Sequence, residues 1–327
     1  MRVLVTGAGG MIGGRLVKRL LRNGTLRGEP IAGLTALDVH APEHEGTFAV
    51  DNVAGDVSDF ALCRDLVEEA PDVVFHLAAV VSGQAEEEFE TGYRVNLDGT
   101  RHLLEAIRLK GHGYRPRVVF ASSIAVFGAP YPDDTIPDTF HQTPLTSYGT
   151  QKAIGELLLA DYSRRGFVDG VGLRFPTIVV RPGAANRAAS GFFSAIIREP
   201  LAGRRANLPV GRDVRHHFAS PRSAVEACVH AAELDTARLG DRRTVTLPGV
   251  SATVEEELEA LRRVAGDGAV ALVSEEPDPA VARIVKGWPE AFEARRAREL
   301  GFRAEEDFDA IVRAYMEDEG VVPPSAA

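Results

Sequence analysis

The sequence predicts a doubly wound parallel α/β sheet followed by a smaller C-terminal lobe, on three observations. Apolar runs of strand length alternate with helix-period stretches over residues 1–180, the pattern of strands joined by crossover helices. The first run leads directly into a glycine-rich turn, Gly7-Ala-Gly-Gly10-Met-Ile-Gly13. Beyond about residue 180 the alternation loosens into Arg181-Pro182-Gly183 and then into segments punctuated by Pro221, Pro248 and Pro277-Asp278-Pro279, as expected where a regular sheet gives way to a lobe. We therefore expect a sheet domain over residues 1–180, a segment near 212–248 returning to it, and a lobe formed mainly by the rest of 181–327.

The expected strands are Val3 to Thr6, Gly33 to Asp38, Thr47 to Val50, Val73 to Leu77, Val118 to Ala121 and Gly172 to Phe175. The first helix spans Met11 to Leu21, where Ile12, Leu16 and Leu20 recur at four-residue spacing and give it one apolar stripe to bury. Further helices are expected at Ala61 to Glu69, Tyr93 to Leu109 and Ser147 to Arg164.

With 327 residues, 45% of them hydrophobic and 26% charged, the chain has the composition of an ordinary globular protein able to bury a large core. No run of apolar residues is long enough for a transmembrane span or reads as a secretory leader, so the expected location is the cytoplasm. A formal charge of −10, without a basic stripe, argues against nucleic acid or an anionic membrane as partner. Cys63 and Cys228 form no closely spaced metal or redox motif, and the histidines, including adjacent His216 and His217, lack metal-ligand spacing. Two buried thiols and no metal are expected.

The glycine turn carries the first functional expectation. Gly7 suits the tight turn out of a strand, Gly10 lets backbone N–H groups approach a pyrophosphate at a helix N-terminus, and Gly13 allows that helix to pack closely. This is the dinucleotide grip of a Rossmann-type sheet. Asp38 closes the second strand, where a carboxylate accepts hydrogen bonds from an adenosine ribose. A 2′-phosphate there would meet like charge, and Val39 and His40 supply no arginine to offset it, so NAD is expected over its phosphorylated relative. Asp56, in Gly55-Asp56-Val57, is either a contact to the adenine amino group or a turn aspartate.

Tyr148-Gly-Thr-Gln-Lys152 opens a predicted helix, and its spacing places phenol and ammonium on one face. A nearby cation favours the phenolate, which makes Tyr148 a candidate base and Lys152 its activator. Ser122 and Ser123 follow the fifth strand at the carboxyl end of the sheet, where open α/β folds bind ligands. Ser123 is the candidate for orienting a substrate oxygen, and Ser122 reads as a structural residue.

These residues, together with His76-Leu-Ala-Ala79, Asn96-Leu-Asp-Gly99-Thr100, Ser122-Ser-Ile-Ala-Val-Phe-Gly128 and Leu173-Arg-Phe-Pro-Thr177, resemble the extended short-chain dehydrogenase/reductase superfamily, of the NAD-dependent epimerase/dehydratase type. The resemblance implies a catalytic set of Ser123, Tyr148 and Lys152, with Lys152 also holding the nicotinamide ribose. It implies cofactor contacts from Gly7, Gly10, Met11, Ile12, Gly13, Asp38, Asp56, Val57, Leu77, Ala78 and Ala79. It further implies that Asn96 shapes the central helix and that Thr177 sits near the nicotinamide amide. Dehydratases of this superfamily carry an Asp-Glu pair where this chain has Ile124 and Ala125, and nucleotide-sugar epimerases carry Phe-Asn where it has Phe175-Pro176.

A narrower resemblance, through Val80-Val-Ser-Gly83, Ser147 to Glu156, Tyr162 to Gly170, Arg181-Pro-Gly183 and Pro277 to Pro289, is to the D-erythronate dehydrogenase group. It implies NAD-linked oxidation of the C2 hydroxyl of a small sugar acid. An epimerase with tightly bound NAD, and a uronate or threonine dehydrogenase, are the alternatives. A sugar-acid carboxylate calls for a cation, for which Arg181 is the first candidate and Arg222 a weaker one. Ser82 and Asn186 are candidate loop contacts to sugar hydroxyls. The resemblance also implies a homodimer through helices near residues 93–109 and 147–164.

Overall fold

Seven parallel strands form the central sheet: Arg2–Thr6 (β1), Gly33–Asp38 (β2), Ala49–Ala54 (β3), Val73–His76 (β4), Arg117–Ser123 (β5) and Asp169–Phe175 (β6), with Thr244–Thr246 closing one edge. The computed structural model describes residues 1–46, 48–183 and 190–322. Read across the sheet, the first six strands run β3-β2-β1-β4-β5-β6, the order whose reversal between β1 and β4 opens a dinucleotide crevice.

Helices cover both faces of this sheet. Met11–Asn23 (α1) buries Gly13, Leu16, Val17 and Leu20 and ends at Gly24, whose left-handed φ of 68° lets its N–H cap the Leu20 carbonyl. Phe60–Glu68 (α2) is capped by Asp59. Ser82–Glu87 (α3) follows β4. The expected helix from Tyr93 to Leu109 proves to be two pieces, a π-helical segment Tyr93–Asp98 and then Gly99–Lys110 (α4). Ser147–Arg164 (α5) has the expected bounds, with the Thr146 hydroxyl accepting from Gly149 N at 3.0 Å. The third strand lies later than expected: it pairs with β2 along its length, from Gly33↔Ala49 to Asp38↔Ala54. Polar Asp51 and Asn52 on this sheet edge disguised it, and Thr47 lies outside the described residues.

After β6 the chain enters the lobe through Thr177–Ile178 (β7) and Gly191–Leu201 (α6). Arg215–Ala219 (β8) pairs parallel with β7 and antiparallel with Val250–Thr253, while Pro221–Glu233 (α7) packs on α1 and shares the core of the sheet domain through Ala224, Cys228 and Ala231. Thr244–Thr246 (β9) then joins the central sheet beside β6, after which Val250–Thr253 (β10) returns to the lobe. The lobe has its own apolar core, built from Phe193, Ile196, Phe218, Leu258, Leu261, Ile311 and Val312 on α6, β8, Val254–Ala265 (α8) and Phe308–Glu319 (α9). Cys63 and Cys228 are free and buried, and burial pushes both thiols up to about 12. No described helix is long and apolar enough to cross a membrane.

Candidate active site

The glycine turn is shaped by close approach. Gly7 adopts φ 74°, and a Cβ there would stand 2.7 Å from Ala78 N, so only glycine lets the turn leaving β1 lie against the chain leaving β4. Gly10 N donates to the Gly7 carbonyl at 3.1 Å, and Gly13 packs against that same carbonyl. Met11 and Ile12 open α1 at half-buried positions. The Asp38 carboxylate is fixed at the rim, accepting from Gly9 N at 2.9 Å and Val39 N at 2.8 Å. On the β4 side, Leu77 N donates to Thr6 O at 3.1 Å and Ala78 N to Thr6 Oγ1 at 3.3 Å, leaving Ala79 exposed beyond them.

Asp56 stands after β3 beside buried Val57. Partial burial opposes its charge, but the Ser58 amide at 2.9 Å and the Arg94 guanidinium outweigh it and hold the carboxyl below its ordinary value. Its structural work is therefore to fasten the turn before α2 to the π-helical segment.

Ser123, Tyr148, Lys152 and Arg181 arrive from three places in the sequence. Ser123 ends β5 opposite Phe175 and caps the short turn Ile124–Val126, its hydroxyl accepting from Ala125 N at 3.1 Å. Tyr148 and Lys152 stand one turn apart on α5. Burial pushes the phenol up to about 12, while the Ser123 hydroxyl and the Arg181 guanidinium both favour its ionised form. Arg181 thus adds a second cation on the Tyr148 phenol, beside the Lys152 expected from the spacing. The Lys152 ammonium lies 5.7 Å from the Tyr148 ring centroid and 5.1 Å from the Phe120 ring. Burial lowers it to about 8, against the pull of Glu156. Arg181 is held by hydrogen bonds from Nε to Ile178 O at 2.9 Å and from NH2 to Ser190 Oγ at 3.0 Å.

Two supporting residues were not among the sequence candidates. Glu156, one turn beyond Lys152, accepts from Ser122 Oγ, from Gln142 Nε2 at 2.5 Å and from Arg174 NH2 at 2.7 Å. Its i+4 spacing from Lys152 was the available signal. Gln151 takes a hydrogen bond from Asn96 Nδ2 at 2.8 Å, and Asn96 in turn clamps Val80 through both backbone groups, at 2.9 and 3.2 Å. Asn96 thereby ties the loop after β4 to α5.

Toward the lobe, Thr177 is half-buried two residues past Phe175, and its Oγ1 meets His216 Nε2 at 2.6 Å. Ser82 is half-buried but opens α3 and does not lie in a loop, because the helix begins at that residue. Asn186 lies outside the described residues. Arg222 is removed from the candidates: on α7 it pairs with Asp318 at 2.6 Å and Glu317 at 3.0 Å, which occupies its guanidinium with α9. Among the described residues no group of three or more His, Cys, Asp or Glu is arranged to hold a metal.

A glycine turn that a Cβ would fill, a carboxylate fixed at its rim and a buried ammonium facing two aromatic rings suit a dinucleotide with a ribose over α5. The match to known proteins agrees. Residues 3–242 match the family described as "NAD dependent epimerase/dehydratase family", and the chain belongs to it, with NAD as cofactor and an oxidoreductase site. Similar curated proteins include a D-erythronate dehydrogenase of Cupriavidus necator, 52% identical over 98% of this chain and 99% of that one. A D-erythronate dehydrogenase of Haemophilus influenzae is 37% identical over 97% of this chain and 99% of its own. Among solved structures, one titled as a nucleoside-diphosphate-sugar epimerase from Agrobacterium tumefaciens superposes with a TM-score of 0.96 at 56% identity, covering 98% of this chain and 95% of that chain.

Proposed function

We propose that this protein oxidises the C2 hydroxyl of D-erythronate to 2-oxo-D-erythronate with NAD, as a cytoplasmic homodimer. The observation that carries the reading is the meeting of Ser123 at the end of β5 with Tyr148 and Lys152 one turn apart on α5, where the charge of Arg181 also favours the phenolate. In a 2-hydroxy acid the carboxylate is bonded to the reacting carbon, so a cation next to the proton acceptor stands where that carboxylate falls. A nucleotide-sugar has no carboxylate at that place, and Phe175-Pro176 lacks the asparagine used by nucleotide-sugar epimerases.

In this reading the turn from Gly7 to Gly13 cradles the pyrophosphate, Asp38 accepts from the adenosine ribose, and Lys152 donates to the nicotinamide ribose. NAD supplies the hydride acceptor. Ser123 orients the C2 oxygen, Tyr148 takes its proton, and the C2–H pair leaves as hydride, so the carbon is oxidised by two electrons and one proton is stored on the phenol. Because burial holds the phenol near about 12, the base form grows as pH rises, and turnover is expected to climb from neutral to alkaline pH. The sheet domain holds NAD and the lobe supplies the sugar-acid end. Exposed Phe89 and Leu157, the latter on α5, suit the helix-face pairing of a homodimer.

The test is NADH formation by the purified protein with D-erythronate, other aldonates, uronates, threonine and a nucleotide-sugar. Release of NADH with D-erythronate is expected. Interconversion of the nucleotide-sugar without net NADH, on NAD that dialysis does not remove, would replace the reading with an epimerase.

A further inference from the structure

His216 is buried on β8, where the sequence suggested neither ligand nor catalyst. Its ring lies parallel to Phe193 at 7° and 5.5 Å, edge-on to Phe218 at 5.4 Å and tilted against Trp288 at 5.1 Å, so it has one orientation. Nδ1 meets the Pro289 carbonyl at 3.1 Å, and Nε2 meets Thr177 Oγ1 at 2.6 Å. A carbonyl oxygen only accepts, so the hydrogen of the neutral ring sits on Nδ1. Nε2 then carries a lone pair and accepts the Thr177 hydroxyl hydrogen.

That assignment has a consequence for the site. Thr177 has one hydroxyl hydrogen, and His216 takes it, which leaves Thr177 Oγ1 with only lone pairs to offer outward. Thr177 stays half-buried between buried neighbours, two residues past the Phe175 that pairs with Ser123. We propose that His216 is a positioning residue that fixes the Thr177 hydroxyl as a pure hydrogen-bond acceptor for an N–H or O–H donor on the bound reactants. Resting on the dehydrogenase reading, the donor has two sources: the nicotinamide carboxamide NH₂ or a hydroxyl of the sugar acid. Pro289 O, which sets the tautomer, belongs to a lobe segment anchored again at Gly287, whose carbonyl accepts from Tyr131 OH at 2.8 Å. Pro289 thereby dictates the polarity of a hydroxyl just beyond the carboxyl end of β6.

The tautomer is read directly by ¹⁵N NMR of histidine-labelled protein. His216 is expected to show a protonated Nδ1 and a bare Nε2 throughout the neutral range; the reverse tautomer would overturn the proposal. Thr177→Val keeps the shape and removes the acceptor. It is expected to cost about three- to tenfold, the size of one lost hydrogen bond. With the carboxamide as donor, the loss appears in NAD affinity by calorimetry and vanishes with the acetylpyridine analogue, which lacks the NH₂. With a sugar hydroxyl as donor, NAD affinity is unchanged and the loss appears in the sugar-acid KM with kcat retained. An unchanged Thr177→Val protein in both measurements would overturn the proposal. His216→Phe, which fits the aromatic cluster, should reproduce the loss, and the double variant should be no worse than either single one. NMR and NAD binding need no sugar acid, so a protein that shows the tautomer and the NAD loss but does not oxidise D-erythronate sinks the substrate reading and leaves this one standing.

Discussion

Two buried glutamates, one in each half of the molecule, have opposite surroundings. In the sheet domain Glu156 is 4% exposed and meets Ser122, Gln142 and a two-pronged Arg174, with NH2 to Oε2 at 2.7 Å and Nε to Oε1 at 2.9 Å. In the lobe Glu257 is 0% exposed, and neither carboxyl oxygen has a hydrogen-bond partner among the described residues. Burial alone therefore acts on Glu257 and pushes its carboxyl well above the ordinary value, which favours the neutral acid. The contrast teaches that a buried carboxyl is given a full set of hydrogen-bond partners beside Lys152 and none in the lobe. Glu156 stands one turn from Lys152 and favours its ammonium form, while Glu257 supports no charge near the chemistry.

The largest expected effect comes from removing the sheet-domain carboxylate. Glu156→Leu leaves half-buried Arg174 without its carboxylate partner and should cost about 3 kcal/mol in urea unfolding. A loss below about 1 kcal/mol would show that the Glu156 cluster is not a strong interior pair.

Lys152→Met should act in the other direction, abolishing turnover while raising stability by about 1–3 kcal/mol at neutral pH, since it removes a buried ammonium. The sign follows from the depressed folded-state value of about 8 against an ordinary 10.5. Below about 8 both states bind the proton and the penalty is full; between there and 10.5 the unfolded chain binds more protons, so wild-type stability rises with pH and the advantage of the variant shrinks. An advantage independent of pH would contradict the assignment.

Glu257→Leu should matter least in acid and progressively more above it. With the folded value raised above 4.5, the contribution of the protonated acid is complete below that pH. It is lost as pH rises, at up to about 1.4 kcal/mol per pH unit until the folded group itself ionises. The difference between variant and wild type in urea should open with that slope, and parallel curves would refute the neutral buried acid.

Much of this site was legible because its determinants are local. The glycine turn, the helix from Ser147 to Arg164 and the strand ending at Asp38 follow from neighbours in the chain, whereas the fifth strand, expected to end at Ala121, runs on to Ser123. The influence of Arg181 on Tyr148 gave no sequence signal because i,i+4 spacing reports only the partner on the same helix, Lys152, whereas Arg181 follows β6, which the topology sets beside β5. The π-helical segment at Tyr93–Asp98 keeps helical periodicity, so the sequence pattern could not separate it from α4. His216 carried no signal of its own, since its role depends on a carbonyl 73 residues away at Pro289.

The most direct test is Tyr148→Phe, assayed for NADH formation from D-erythronate and, separately, for NAD binding by calorimetry. Loss of the proton acceptor should lower kcat by roughly a thousandfold or more, about 4 kcal/mol of barrier, with NAD affinity within about twofold of wild type. A variant that retains turnover, or that loses NAD binding in equal measure, would contradict the assignment of Tyr148 as the base.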